Sequence, residues 1–367
     1  MTHVADHGDQ SGRIGLGLRL MNPDAIDWTA LERLRAAFLA GTAGATDYWQ
    51  CASDLASYDA TFAQRIGWKW DYVLAELAHR GWTPPRGGLL DWGCGSGIAA
   101  RAFLDHFGTN AVSALYLWDR SPLAMSFAAG RAKAKYPTLE VKAVPDLTWP
   151  RQSGAAPTGT PPFTLLISHV LTELSPEQSS DLADFAAEAD AVLWVEPGTR
   201  EASRALIALR EWLRERFHVV APCVHQARCG MLAPENEPHW CHHFAPSPAG
   251  LFTDGGWTRF AKLAGLDLRS LPLSFLVLDK RPAPSLPPGA TRVIGRPRVY
   301  KPHALLLGCN ESGVRERKLA KRALPEAYDR CKKENVGALQ IWDCNNDEIR
   351  QIRPFAKIKV RDEGTRL

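Results

Sequence analysis

The sequence predicts an α/β fold with a parallel sheet, preceded by a helical region and followed by a small basic region that contains β-strands. Three observations carry this. Short apolar runs alternate with helical patterns from Gly88 onward, a glycine-rich turn joins the first run to the first helix, and carboxylates (Asp91 and Asp119) stand at the ends of two successive strands. Alternation of this kind builds parallel sheets, because each strand needs a crossover helix before the next can run the same way.

In chain order, Trp28–Phe38 and 47–79 carry apolar positions at helical spacing, among them Trp28, Leu31, Leu34 and Phe38. GWTPPRGG then breaks the pattern. The alternation follows: GLLDWG, a helix through His106, SALYLWD, a helix through Lys135, LEVKAV, FTLLISHV, a helix over 176–189 and AVLWVEPG. Next come an amphipathic helix with Leu206, Leu209, Leu213 and Phe217 on one face and a sixth strand, HVVAPC. The strand LSFLVLDK at 273–280 comes only after about fifty residues that hold a cysteine cluster. RPAPSLPPG reads as a linker, and strand-like VIGRPRVY and HALLLGC lie beyond it. The expected units are a helical region over 1–84, an α/β domain over 85–282 with a cysteine-rich insertion at about 223–272, and a basic region over 283–367 that contributes a further cysteine. There is no internal repeat.

The 367 residues are 45% hydrophobic, enough to bury a sizeable core. Net charge is only +4, yet from Arg292 onward 18 Lys and Arg face 10 Asp and Glu, leaving +8 there and −4 elsewhere. Such a region suits a polyanion, although alternating signs within helical stretches also fit a solvated surface. No run reaches the roughly 18 apolar residues that span a bilayer, and MTHVADHGDQ lacks a signal or transit pattern. The expected setting is a bacterial-type cytoplasm, without membrane contact. Eight cysteines are too sparse for a secreted disulfide scaffold, so their clustering points to metal.

The glycine-rich turn is Asp91-Trp-Gly93-Cys-Gly95-Ser-Gly97. Gly95-Ser-Gly97-Ile-Ala-Ala100 fits the dinucleotide fingerprint GxGxxA, while the whole run resembles motif I of class I S-adenosylmethionine-dependent methyltransferases, a Rossmann-like fold. Asp91 favours the second, since a carboxylate repels a pyrophosphate but suits an ammonium group. Asp119 can accept from ribose hydroxyls in either case, and Asp146 is placed to reach adenine. Ser168 and His169 should face the reactive end of the ligand. Nucleobase amine methylases carry a pattern resembling N-P-P-Y there, and this chain has Ser168-His169-Val170-Leu171, which puts amine methylation in doubt and leaves no catalytic base assigned. A turn that merely packs helix on sheet is the bland alternative, and Cys94 reads as a small filler rather than a nucleophile.

Cys223, Cys229 and Cys241 fall within nineteen residues of a loop with little apolar pattern, and metal ligation would give it a constraint. For a fourth ligand Cys309 is chosen over His225, His239, His242 and His243, while Cys51, Cys331 and Cys344 lie in ordinary contexts. Four thiolates suit either zinc or an iron-sulfur cluster, and the spacing does not decide between them. It is not the CxxxCxxC of radical S-adenosylmethionine enzymes.

DWGCGSG, SHVLTELSP, LWVEPGT, VVAPCVHQARC, HWCHHF and LLLGCNESG together resemble the methyltransferase-like assembly proteins of the mitochondrial small ribosomal subunit and their bacterial relatives, a family that includes human methyltransferase-like protein seventeen. The likeness runs from about Gly88 to Lys321. It implies a 4Fe-4S cluster on Cys223, Cys229, Cys241 and Cys309, an S-adenosylmethionine pocket lined by Gly93, Gly95 and Gly97, and binding to small-subunit rRNA. The second cysteine gap is longer here than the family pattern, and Gly230 stands where the family usually has proline. Two functions follow: a binding factor in small-subunit assembly or translation, or an active rRNA or protein methyltransferase with a structural zinc or iron-sulfur site.

Overall fold

The computed structural model describes residues 20–40, 49–144, 162–334 and 336–355. Helices α1 (Trp28–Leu39), α2 (Ala52–Ala60) and α3 (Phe62–His79) come first. Asp27 starts α1 by accepting from the Ala30 amide at 2.9 Å, which satisfies a donor that a helix start leaves open. The helical pattern up to His79 is realised as two helices parted at Thr61, whose φ/ψ of −128°/−90° is not helical. Trp70, Val73, Leu74 and Leu77 of α3 are fully buried against the sheet.

The α/β domain then runs β1 (Gly87–Trp92), α4 (Ile98–Phe107), β2 (Val112–Trp118), α5 (Pro122–Lys135), β3 (Val141–Ala143), β4 (Phe163–Ser168), α6 (Pro176–Ala186), β5 (Ala191–Pro197), α7 (Arg200–Leu213) and β6 (His218–Ala221). After the cysteine loop come β7 (His243–Ala245), α8 (Gly255–Ala264) and β8 (Leu271–Asp279). Helix starts follow the sequence: Ser121 and Ser175 each cap a helix whose next residue is proline, Thr199 caps α7 and Asp254 caps α8.

The sheet order is β3-β2-β1-β4-β5-β8-β6, with β7 added beside β8. β1 to β5 pair in parallel, and β8 lies antiparallel between β5 and β6. A parallel sheet with one reversed strand inserted at this place is the Rossmann-like topology of class I methyltransferases. Because β8 is covered on both faces, Leu271, Leu273, Val277 and Leu278 are all fully buried, which is why it reads as a nearly continuous apolar run. β1 has β2 on one side and β4 on the other, so the chain reverses direction across the sheet at β1. Ligands in open α/β sheets bind at the carboxyl ends of the strands flanking such a reversal.

The basic region is a second folded unit. β9 (Ala290–Val299), β10 (His303–Asn310), β11 (Gly313–Ala320), β12 (Leu339–Asn345) and β13 (Glu348–Pro354) close into a barrel in the order β10-β11-β13-β12-β9, with α9 (Pro325–Lys332) between its third and fourth strands. β11 meets β13 in parallel and the other pairs are antiparallel. This is the five-stranded OB architecture. Val293, Ala304, Leu306, Leu319 and Ile349 fill it, with Tyr328 and Cys331 of α9 closing the core.

Arg292 of β9, counted with the basic region in the sequence, is 1% exposed and faces inward. It pairs with Glu76 of α3 and donates to the Tyr72 hydroxyl at 3.0 Å, so it joins the barrel to the helices and is unavailable to a polyanion.

Candidate functional site

At the carboxyl ends of the central strands lies a cavity of about 350 Å3. Gly93, Gly95 and Asp119 form one side, Ser168, His169 and Glu173 another, and Phe38, Trp49 and Tyr58 approach from the helical region. Trp92 and Trp118, ending β1 and β2, stack with ring centroids 4.6 Å apart and supply a flat aromatic wall.

The glycine turn is braced rather than loose. The Gly95 amide donates to Asp119 Oδ2 at 2.9 Å, and Arg101 Nη1 donates to the Ser96 carbonyl at 2.6 Å while its other nitrogen pairs with the buried Asp59 of α2. The glycines have different tasks. Gly97 has φ +75°, and a Cβ there would stand 2.9 Å from Ala128 Cβ, so it lets α4 pack on α5. Gly95 has φ +49° and a Cβ there would meet nothing within 4 Å, so this glycine borders open space.

Asp91 departs from its expected role. It is 0% exposed and lies outside the cavity lining, with Oδ2 accepting from the Ala100 amide at 3.1 Å and Oδ1 buried without a partner. Burial pushes its carboxyl up to about 8, so at neutral pH it carries little of the charge an ammonium would need. It serves the start of α4 from beneath the turn. Asp119 does line the cavity, where it accepts from the Gly95 and Ser121 amides. Asp146 lies outside the described residues.

Ser168 and His169 reach the cavity, but both are held by α3. Trp70 Nε1 donates to Ser168 Oγ at 3.0 Å, and Lys69 Nζ lies 3.1 Å from His169 Nε2. His169 takes a left-handed φ of 57°, uncommon without glycine. Burial, with the Lys69 charge, holds its imidazole well below the usual range; burial and Arg65 bring the Lys69 amine down to about 7. Glu173, on the turn after β4, is pushed up to about 7 by burial, with Arg120 opposing and Asp119 adding to the effect. Glu196 of the EPGT run is fully buried and accepts from the Val170 and Leu171 amides and Trp194 Nε1, so it shapes the turn that carries Ser168 and His169. Lys69, Trp70 and Glu173 were not singled out from the sequence. Nothing in an amphipathic pattern says which polar residue of α3 turns inward.

The second candidate site is the cysteine loop. Cys223, Cys229 and Cys241 gather there with Cys309 of β10: each of the four is close enough to the other three for one thiolate to disfavour the next. Burial, then those neighbours, push Cys229 up to about 11 and raise Cys241 and Cys309 well above the ordinary thiol range. Arg210 Nε donates to Cys223 Sγ at 3.3 Å, and His225 Nε2 is 3.4 Å from Cys309 Sγ. Among the described residues no group of three or more His, Cys, Asp or Glu is arranged to hold a metal ion. The loop is also not short of constraint, as its composition suggested. Arg204 donates to the carbonyls of Met231, Asn236, Glu237 and His239, and fully buried Arg80 donates to those of Val220, Pro222 and Cys223. Charged donors thus add to the apolar packing of Cys229 and Met231 against Ile207, Ile294 and Val314.

Of the predicted basic surface, Arg296, Arg298 and Arg317 are ion-paired with Glu334, Glu316 and Asp347. Lys301, Arg315, Lys318, Lys321 and Arg322 are exposed. No helix among the described residues is long and apolar enough to cross a membrane.

Among solved structures, the chain is similar to magnesium protoporphyrin IX methyltransferase from Synechocystis with bound S-adenosylmethionine, at 12% identity over 70% of this chain and 98% of that one, TM-score 0.35. It is also similar to the 16S rRNA methylase RmtB, at 15% identity over 55% and 70% of the two chains, TM-score 0.31. Precorrin-6y C5,15-methyltransferase from Geobacter metallireducens gives 12% identity over 57% and 89%, TM-score 0.33. Likenesses this weak decide nothing about the site. No curated protein matches the sequence significantly. The profile of one family, described as mitochondrial small ribosomal subunit Rsm22, matches residues 70–340, a span that runs from α3 to β12 and takes in the glycine turn, the β4 end and all four cysteines; the chain belongs to that family.

Proposed function

We propose that this protein binds S-adenosylmethionine in the strand-end cavity and acts on the small ribosomal subunit by binding its rRNA, in a bacterial-type cytoplasm. The observation that carries the cofactor assignment is Gly95: it borders a cavity at the reversal point of the sheet, and a side chain there would enter empty space. The residues present fit the group. Asp119, Glu173 and Asp181 face the cavity against Arg120, a balance suited to a cationic sulfonium, and the paired Trp92 and Trp118 rings suit an adenine. When bound, S-adenosylmethionine would supply an activated methyl group. Calorimetry tests the assignment: the parent should bind S-adenosylmethionine and Gly95→Val should not. Tight NADH binding by the parent in place of S-adenosylmethionine would overturn it.

Binding is favoured over methyl transfer because Ser168 and His169, at the place where nucleobase methylases hold their substrate, are already engaged by Trp70 and Lys69. One observation supports a catalytic second reading: Glu173 faces the cavity with a carboxyl that titrates near neutrality, as a base receiving a proton from a methyl acceptor should. Labelled methyl groups would then enter small-subunit rRNA or protein with the parent and not with Glu173→Gln, while S-adenosylmethionine binding persists in both.

The finer reading of the cysteine loop is that Cys223, Cys229, Cys241 and Cys309 hold a 4Fe-4S cluster rather than zinc. Its support is the convergence of four thiols from a loop and a barrel strand beside the guanidinium of Arg210, which suits an anionic cluster. Closed by four thiolates, such a group would serve structure or redox sensing. Anaerobically purified protein should be brown and contain iron, and serine at any one of the four positions should bleach it while Cys331→Ser does not. Stoichiometric zinc without iron would refute the assignment.

A further inference from the structure

We propose that the turn between β9 and β10 is a base-stacking platform that takes an unpaired RNA strand. The inference rests on the rRNA-binding reading above and says which surface does the binding and what form of RNA it reads.

Tyr300 follows the last residue of β9 and His303 opens β10, and their rings stack with centroids 5.0 Å apart and planes 23° from parallel. Tyr300 is nonetheless 47% exposed and its neighbour Val299 is 39% exposed, two of the few large apolar side chains on the described surface. The platform is prepared in advance. The Tyr300 amide donates to the His303 carbonyl at 2.8 Å, closing the turn. The hydroxyl of Tyr328, which is buried in α9, donates to the Tyr300 carbonyl at 2.8 Å, and the Lys321 amide donates to that of Pro302 at 3.0 Å. A turn whose backbone is fixed this firmly carries the aromatic pair in place before anything binds.

The surroundings choose the occupant. Lys301 lies in the turn, Lys321 and Arg322 follow β11 beside it, and Lys318 lies along β11; all four are exposed. The nearby Glu316 is engaged by Arg298 and the Lys321 ammonium lies 5.4 Å from the centre of the Tyr328 ring, so the exposed lysines keep their positive charge beside the turn. Aromatic faces set among cations match a chain of bases and phosphates. In a duplex the base faces are covered by their neighbours, so stacking requires an unpaired strand. The barrel topology agrees, since the loop between the first and second strands of an OB barrel is one of its ligand-binding loops. The outer face of β10 and β11 is only partly free for the same use: Cys309, Leu307 and Val314 pack there against Cys229 and Met231 of the cysteine loop. This directs the strand to the turn end of the barrel.

The test uses the full chain with three RNA probes: an unpaired uridine oligonucleotide of about ten nucleotides, a duplex of the same length, and intact small-subunit rRNA. Fluorescence anisotropy should show the unpaired oligonucleotide binding more tightly than the duplex. Tyr300→Ala should weaken it about tenfold, with Tyr300→Phe close to the parent. Lys301→Ala/Lys321→Ala should lower the logarithmic salt slope by about 1.4, at 0.7 per phosphate contact on a single strand. Equal binding of oligonucleotide and duplex, or equal affinity of Tyr300→Ala and parent for the oligonucleotide, would overturn the platform. If rRNA binding by the parent persists in that case, the ribosomal reading stands; if the parent binds the oligonucleotide through Tyr300 but not the rRNA, the platform stands and the ribosomal reading falls.

Discussion

Glu76 is the counter-charge at the joint between barrel and helices, and Glu76→Gln measures what that joint is worth. The carboxylate is 6% exposed, pairs with Arg80 at 2.7 Å and pairs with Arg292 through its other oxygen. At an effective dielectric of about 20, a contact of this length represents roughly 6 kcal/mol of attraction, most of it offset by the cost of taking three ions out of water. The amide keeps the shape and removes the charge. Its oxygen can satisfy one guanidinium, but its NH2 group then points at the donors of the other, and two arginines that repel each other stay buried. Breaking a buried pair in this way costs about 3–5 kcal/mol, a large part of a typical domain's stability. Urea unfolding followed by circular dichroism near neutral pH should show that loss, and a difference under about 1 kcal/mol would refute the reasoning. The pH dependence gives a second check. Burial raises the Glu76 carboxyl, but the charges and hydrogen bonds of Arg292 and Arg80 outweigh it and leave it below its ordinary 4.5. A depressed folded value means that the stabilisation is fully present above 4.5 and is lost as pH falls through the folded value, so parent and variant should converge in acid and stay apart above it.

Lys69→Met should stabilise the protein. Burial lowers the amine from 10.5 to about 7 in the folded state, so keeping it costs stability that grows as pH falls from 10.5 to 7 and is constant below. The gain measured by denaturation should therefore be largest below pH 7 and vanish above 10.5; a gain independent of pH would show that packing, not charge, is responsible. Arg204→Met removes donors to four carbonyls of the cysteine loop and should cost about 3 kcal/mol. Amide exchange over 229–241 should quicken in that variant, and unchanged exchange there would mean that the loop is held by something else.

Much of the α/β domain was legible in the sequence because its signals are local. Strand runs, helix caps and the glycine turn depend on neighbours a few residues away, and a sheet covered on both faces must write its strands as apolar runs. Cys223, Cys229 and Cys241 were legible as a set because thiols in a polar loop stand out, whereas Cys309, at the end of an apolar strand, was one choice among several possible ligands. Asp91 and Asp119 look alike in the sequence, each a carboxylate at a strand end, yet one is sealed beneath a helix start and the other opens to the cavity. That difference depends on α4 lying over the end of β1, where its Ala100 amide meets Asp91, a tertiary contact.

The sequence by itself determined the order of strands and helices from β1 to β6, the place of the glycine turn and the residue types available for ligation. Tertiary structure alone decided that β8 would reverse between β5 and β6, and that five strands of the basic region would close into a barrel. It also turned Arg292 inward to Glu76 and left Tyr300 outside. Period and propensity fix what a segment can become; the direction a side chain faces is set by partners hundreds of residues away, whose burial free energy no local pattern contains.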